Sequence, residues 1–199
     1  MNTAVTEYRD LLTPNQLWSR SEVLAPPSPV PRSPGVYAWY FRNFLPEIPT
    51  ADCLRFNDLT LLYVGISPSA PPKNGKAPSK QNLFRRLRYH YRGNAAGSTL
   101  RLSLGCLLSK TLNIEPRRVG SGNRLTFADG EKRLSDWMGE NAFVTWIECG
   151  EPWKLEEALI STTCLPLNLD QNSRNSFHSE LSRVRREAKE RARELPILA

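Results

Sequence analysis

The side chains best suited to chemistry lie between Leu61 and Arg92, in LLYVGISPSAPPKNGKAPSKQNLFRRLRYHYR. Tyr63 and Gly65 close a short apolar run, and after a Pro-, Lys- and Ser-rich interval Arg85, Arg86, Arg88, His90 and Arg92 follow on one helix-like stretch. A guanidinium offers a planar fork of donors that matches phosphate oxygens, and a phenol or imidazole can move a proton. A glycine beside them lets backbone and substrate approach closely. A strand end with a tyrosine and a glycine, facing an arginine-rich helix, can hold a phosphodiester.

Such a site needs strands and helices to position it. Gly35–Phe41, GVYAWYF, is rich in aromatic and β-branched residues and reads as a strand, with Tyr37, Trp39 and Phe41 on one face and Val36, Ala38 and Tyr40 on the other. Residues 59–66 read as a second strand antiparallel to it, with Tyr63 sharing a face with Leu61 and Gly65. Four prolines keep 67–81 irregular, and Asn82 or Ser79 caps a helix whose inner stripe is Leu83, Leu87 and Tyr91. Arg86 and His90 then share a face at i, i+4.

Elsewhere, 5–12 and 98–110 have helical spacing, and 116–127 reads as a hairpin turning at Gly120-Ser121-Gly122-Asn123. A helix through Leu134, Trp137 and Met138 precedes a strand at 142–148. A helix at 153–163 follows, with Leu155, Leu159 and Thr162 inward and Glu156 and Glu157 near its start. Prolines 26, 27, 29, 31 and 34 make 24–34 an extended arm. The last segment, 175–195, repeats apolar residues at Phe177, Leu181, Val184, Ala188, Ala192 and Leu195, with Arg183, Arg185, Arg186, Lys189, Arg191 and Arg193 on the other face. This basic helix could lie along the phosphates of a nucleic acid or present a solvated face, and it is expected to pack on the domain with incidental phosphate contact. Its stripe, which has two alanines and no tryptophan, is too weak for a membrane-binding helix.

The chain has 199 residues, enough for one domain with its own core, and 40% hydrophobic and 24% charged residues are ordinary for a folded protein. A formal net charge of +7 favours an anionic partner. Four cysteines without a C-x-x-C pair, and only two histidines, argue against a structural zinc site. No leader-like or membrane-spanning run is visible, so a reduced, cytoplasmic protein with no membrane partner is expected.

Gly35-Val36-Tyr37, then Tyr63-Val64-Gly65, then Asn82-Leu83-x-x-Arg86-Leu87-x-x-His90, then Leu155-Glu156-x-x-Leu159-Ile160, with Asn168 placed 12 residues after Glu156, form an ordered set. This set resembles the GIY-YIG nuclease superfamily, which includes homing endonucleases, some restriction enzymes and the incision domain of nucleotide excision repair. The resemblance spans about residues 34–168. It implies an α+β fold, a small, mostly antiparallel sheet flanked by helices, and cleavage of DNA with one divalent ion, Mg²⁺ or Mn²⁺, held by Glu156.

Carried over, Tyr63 is the general base, Tyr37 orients water or phosphate, Arg86 clamps the phosphate, and His90 makes a supporting hydrogen bond. Gly65 and Asn168 line or support the site. Glu157 competes with Glu156 for the metal, although a helix turns the neighbour about 100° away. The link between the two tyrosine strands is longer than the family's usual hairpin, and the 67–81 insertion puts Lys73, Lys76 and Lys80 beside the site. With Arg85, these lysines are candidate DNA contacts, or else the loop is merely a solvated extension. The expected organisation is an N-terminal extension with the Pro-rich arm (1–33), a catalytic domain (34–172) and the C-terminal basic helix (173–199). The competing reading is a nucleic-acid-binding module that keeps the fold without cleaving. The sequence leaves oligomeric state open.

Overall fold

The structure, a computed structural model, describes residues 8–42, 47–72 and 79–198. Lys73 and Lys76 lie outside the described residues.

A four-stranded antiparallel sheet organises the molecule. Its strands are β1 (Gly35–Phe41), β2 (Arg55–Phe56), β3 (Leu59–Ser67) and β6 (Ala142–Glu148), in the order β2-β3-β1-β6. β4 (Arg117–Val119) and β5 (Arg124–Thr126) form a separate hairpin turning through Gly120 and Gly122, both at positive φ. The helices are α1 (Arg9–Leu12), α2 (Arg20–Leu24), α3 (Leu83–Arg92), α4 (Thr99–Leu107), α5 (Ser109–Leu112), α6 (Gly130–Asn141), α7 (Pro152–Thr162) and α8 (His178–Glu194). The α+β expectation is met.

β1 is buried along its whole length because both faces of the sheet are covered. Tyr37, Trp39 and Phe41 join one core with Leu83, Leu87 and Tyr91 of α3, Leu100 and Leu104 of α4, Leu134 and Met138 of α6, and Leu181 of α8. Val36, Ala38 and Tyr40 join a second core with Leu11 of α1 and with Leu155, Leu159 and Ile160 of α7. Period-two alternation in β1 thus sorts its residues between two layers of helices.

β3 departs from that alternation. Trp39 pairs with Tyr63 and Tyr40 with Leu61, so Leu62 is an extra residue, a β-bulge. Leu61 therefore lies in the core with Tyr40, while Leu62 and Tyr63 lie in the core with Trp39. The expectation that Tyr63 shares a face with Leu61 is corrected: the bulge turns Tyr63 to the side of Tyr37 and Gly65.

The proline-rich arm has a use in this fold. Its carbonyls at Pro31 and Ser33 accept the backbone N–H groups of Phe84 and Leu83, two of the donors that a helix start leaves without intrahelical partners. Asn82 then accepts from Arg85 N at 3.0 Å and completes the cap of α3. On α7, Thr162 is exposed and Thr163 takes the buried place. The same rotation error affects α8, where Arg185, assigned to the outer face, is half-buried and bonds Ser103 of α4.

Candidate active site

β1 and β3 bring Tyr37 and Gly65 directly opposite one another. The Tyr37 ring fills the space above that glycine, since a Cβ at Gly65 would stand 2.6 Å from the Tyr37 hydroxyl. Only glycine admits the tyrosine here. α3 approaches from the same side, so one helical turn presents both Arg86 and His90 to the phenol.

The Tyr37 hydroxyl accepts from Arg86 Nε at 3.2 Å and shares a hydrogen bond of 2.8 Å with His90 Nε2. His90 is fully buried and its Nδ1 lies 2.8 Å from Ser98 Oγ. Burial, with Arg86 and Arg101 nearby, holds His90 well below the ordinary imidazole range, so the ring is neutral. One proton then occupies one ring nitrogen, and the Tyr37–His90–Ser98 chain has two wirings: His90 either donates to Tyr37 and accepts from Ser98, or the reverse. Burial also pushes the Tyr37 phenol up, so it is neutral in the free protein.

Tyr63 is held more loosely. It is 8% exposed, and its hydroxyl makes only a long contact, 3.4 Å, with Thr99 Oγ1 at the start of α4. Burial raises its pKa, while the Thr99 contact and the charge of Arg86 oppose the rise. Arg86 bridges to the same region, donating through Nη1 to Gly97 O at 2.9 Å. Among the described residues its Nη2 has no hydrogen-bond acceptor.

Glu156 stands on α7, whose inner stripe is Leu155, Leu159 and Ile160, within the electrostatic reach of Tyr37, Tyr63 and Arg86. Burial and then the carboxylate of Asp170 push its pKa up to about 7, with Arg86 pulling the other way. The neighbouring Glu157 is exposed. Two acidic side chains, Glu156 and Asp170, thus lie in the field of Arg86 and Tyr63.

The structure brings Tyr37, Tyr63, Gly65, Arg86, His90 and Glu156 together. Arg85 and Lys80 are exposed. Asn168 is buried, and its carboxamide takes Val64 N (3.0 Å) and gives to Val64 O (2.9 Å), so it braces β3 from its free edge. Three neighbours carry no motif in the sequence, Ser98, Thr99 and Asp170, and a fourth, Arg185, is one that the sequence places on the outer face of its helix. Arg185 alone left a trace, since it stands four residues after Leu181 and three before Ala188, inside the stripe rather than beside it. A cleft of about 950 Å³ between α4, α5, α6 and α8 is lined by none of the six clustered residues.

Hard oxygen donors suit a divalent ion such as Mg²⁺, which binds through one or two carboxylates and keeps several waters. Glu156, with Asp170 near it, fits that description, and a carboxylate made hard to ionise by burial gains most from a cation. No group of three or more His, Cys, Asp or Glu gathers among the described residues, so water would complete any such coordination.

Residues 35–187 match the family model described as the GIY-YIG catalytic domain, and the chain belongs to that family. The match runs through the whole sheet and into α8. Comparison with curated proteins and with solved structures gave no match. Membership implies a nuclease-type function with nucleic acid as substrate, in a family that is generally divalent-metal dependent.

Proposed function

We propose that the chain is a divalent-metal-dependent DNA endonuclease in which Tyr63 takes the proton of the attacking water, Arg86 holds the scissile phosphate and Glu156 is the metal ligand. One observation carries this reading. Arg86 is fixed by Tyr37 and Gly97 with Nη2 left over, and it faces both the loosely held Tyr63 phenol and Glu156. A cation anchored on one side and open on the other is prepared for an anionic ligand.

Tyr37 and Tyr63 divide their labour by what already bonds them. The Tyr37 oxygen is engaged by Arg86 and His90, which suits orientation of a water or phosphate oxygen. The Tyr63 oxygen, whose one hydrogen bond among the described residues is its 3.4 Å contact to Thr99, is the less engaged of the two and suits contact with the attacking water. As water oxygen bonds to phosphorus and the phosphorus–O3′ bond breaks, Tyr63 accepts the water proton, and Arg86 stabilises the charge gathering on the phosphoryl oxygens. Accepting that proton requires the neutral phenol first to give its own to solvent, a loss that burial opposes and the charge of Arg86 favours. A divalent ion held by Glu156 would supply further charge stabilisation at the leaving O3′.

A nicking assay on supercoiled, linear, single-stranded and branched DNA with Mg²⁺ or Mn²⁺ tests this. Wild type is expected to cut, and Glu156→Ala and Tyr63→Phe to lose cutting while still unfolding in a single cooperative transition. Equal cutting by wild type and both variants, or no cutting by wild type with any divalent ion, overturns it.

A further inference from the structure

α8 is buried through Leu181, Ala188 and Ala192, and Arg185 stands between them on the same side. An arginine in an apolar stripe is costly unless something answers its charge. Arg183, two residues earlier on the exposed side, is paired with Glu180 and Glu187 at 2.5 and 2.6 Å. Arg185 has no such ion pair within 4.0 Å among the described residues. Its one hydrogen bond there runs from Nη1 to Ser103 Oγ at 3.3 Å, which engages one of its five N–H donors.

Ser103 fixes where the remaining donors lie. It follows Thr99 by one turn of α4, about 6 Å along the axis, and Thr99 is the residue that touches the Tyr63 hydroxyl. Arg185 is therefore carried across α4 to the Tyr63 side of the site. The charges it feels are those of Cys106 on α4, then Asp170 and Tyr63, and Asp170 also acts on Tyr63 and Glu156. Arg86 acts on Tyr63 from α3, and Arg185 stands on α8, one turn of α4 along from the Thr99 contact.

We propose that Arg185, anchored by Ser103, is a second phosphate-binding position that takes a backbone phosphate of the nucleic-acid strand next to the one held by Arg86. The proposal rests on the nuclease reading for the strand's placement. It gives α8 a part in substrate binding through one inward arginine rather than through its exposed basic face.

Binding of a fluorescently labelled duplex is measured by anisotropy across a salt series in Ca²⁺, alongside the Mg²⁺ nicking assay, for wild type, Arg185→Gln, Arg185→Lys, Ser103→Ala and the exposed control Arg133→Gln. Arg185→Gln is expected to weaken binding roughly tenfold and to lower the slope of log K against log salt by about 1. Its KM should rise more than its kcat falls. Arg185→Lys should recover the slope, Ser103→Ala should fall between, and Arg133→Gln should stay within about twofold of wild type. Wild-type binding and slope in Arg185→Gln overturn the proposal, as does an equal loss in Arg133→Gln. If Arg185→Gln fails to fold, Arg185→Lys decides, and a Lys variant without the wild-type slope overturns the proposal. Wild type that binds but never cuts removes the nuclease reading and leaves the slope to judge Arg185. Wild type that binds no nucleic acid removes both.

Discussion

Arg101 with Glu131, and Arg86 with Glu156, are built in opposite ways: the first two form an ion pair at 2.6 Å, while Arg86 acts on Glu156 only through its charge. Arg101, fully buried on α4, engages Glu131 of α6 through Nε at 3.1 Å and Nη2 at 2.6 Å, and also reaches His90 O and Ser135 Oγ. The second oxygen of Glu131 accepts from Ala95 N, Thr126 Oγ1 and Phe127 N. Arg86 and Glu156 make no such closed set: among the described residues the arginine's Nη2 has no acceptor, and burial drives the carboxyl towards its neutral form. A saturated buried pair fixes a fold, whereas an unsaturated one is completed only by a ligand. The saturated pair also serves the open one, because it holds the loop between α3 and α4 that supplies Gly97, Ser98 and Thr99.

Breaking the open pair should affect chemistry most. Arg86→Ala or Glu156→Gln is expected to lower kcat by ~10²–10³-fold, the usual cost of removing one group that stabilises developing charge, with the urea midpoint close to wild type for Arg86→Ala, and for Glu156→Gln when measured near pH 4.5. Breaking the closed pair should affect stability instead. Glu131→Ala leaves Arg101 buried and unanswered, and urea unfolding should show a loss of about 3–5 kcal/mol. If Glu131→Ala is as stable as wild type, the contrast between the two pairs fails.

A pH series sharpens the difference. The folded Glu156 carboxyl titrates at about 7, above its ordinary 4.5, so its contribution to stability is fullest below about pH 4.5 and is lost as pH rises through 7. Without divalent ions, the melting temperature of Glu156→Gln should therefore gain on wild type between pH 4.5 and 7 and then run parallel to it, and added Mg²⁺ should narrow the gap. His90 works in the other direction. Its folded pKa lies below the ordinary 6.5, so neutral burial costs stability as pH falls below 6.5, and His90→Gln should lessen that acid-side loss. Thr99→Val is the mildest change: removing a 3.4 Å contact should alter kcat by less than about tenfold, in line with a hydrogen bond worth ~1 kcal/mol, with no change in melting.

What could be read from the sequence was whatever repeats locally. The alternation in GVYAWYF, the cap at Asn82 and the glycine turn at 120–122 each follow from neighbours a few residues apart, and the family's residue spacing placed Tyr37, Tyr63, Arg86, His90 and Glu156 as candidates. What escaped depends on register between distant segments. The bulge at Leu62 exists only in relation to β1, and LTLLYVG gives no sign of the interruption. Arg185 is hidden in the sequence because its charge marks it for the exposed face, whereas its place between Leu181 and Ala188 turns it inward. Glu131 and Arg101, 30 residues apart, carry no motif, since a buried ion pair is recognisable only once both ends are placed.

Asn168 has a consequence of another kind. Its carboxamide bonds both polar groups of Val64, and Leu167 N donates at 3.0 Å to Leu62 O, so residues 167–168 take the place of a neighbouring strand where β2 has ended. A strand with bare N–H and C=O groups invites a second chain to add itself. Two residues of loop close that opportunity beside the bulge, so the segment carrying Tyr63 is shielded from edge-to-edge association. An Asn168→Leu chain, unable to answer Val64, should reveal the hidden edge as concentration-dependent aggregation seen by light scattering before any loss of secondary structure.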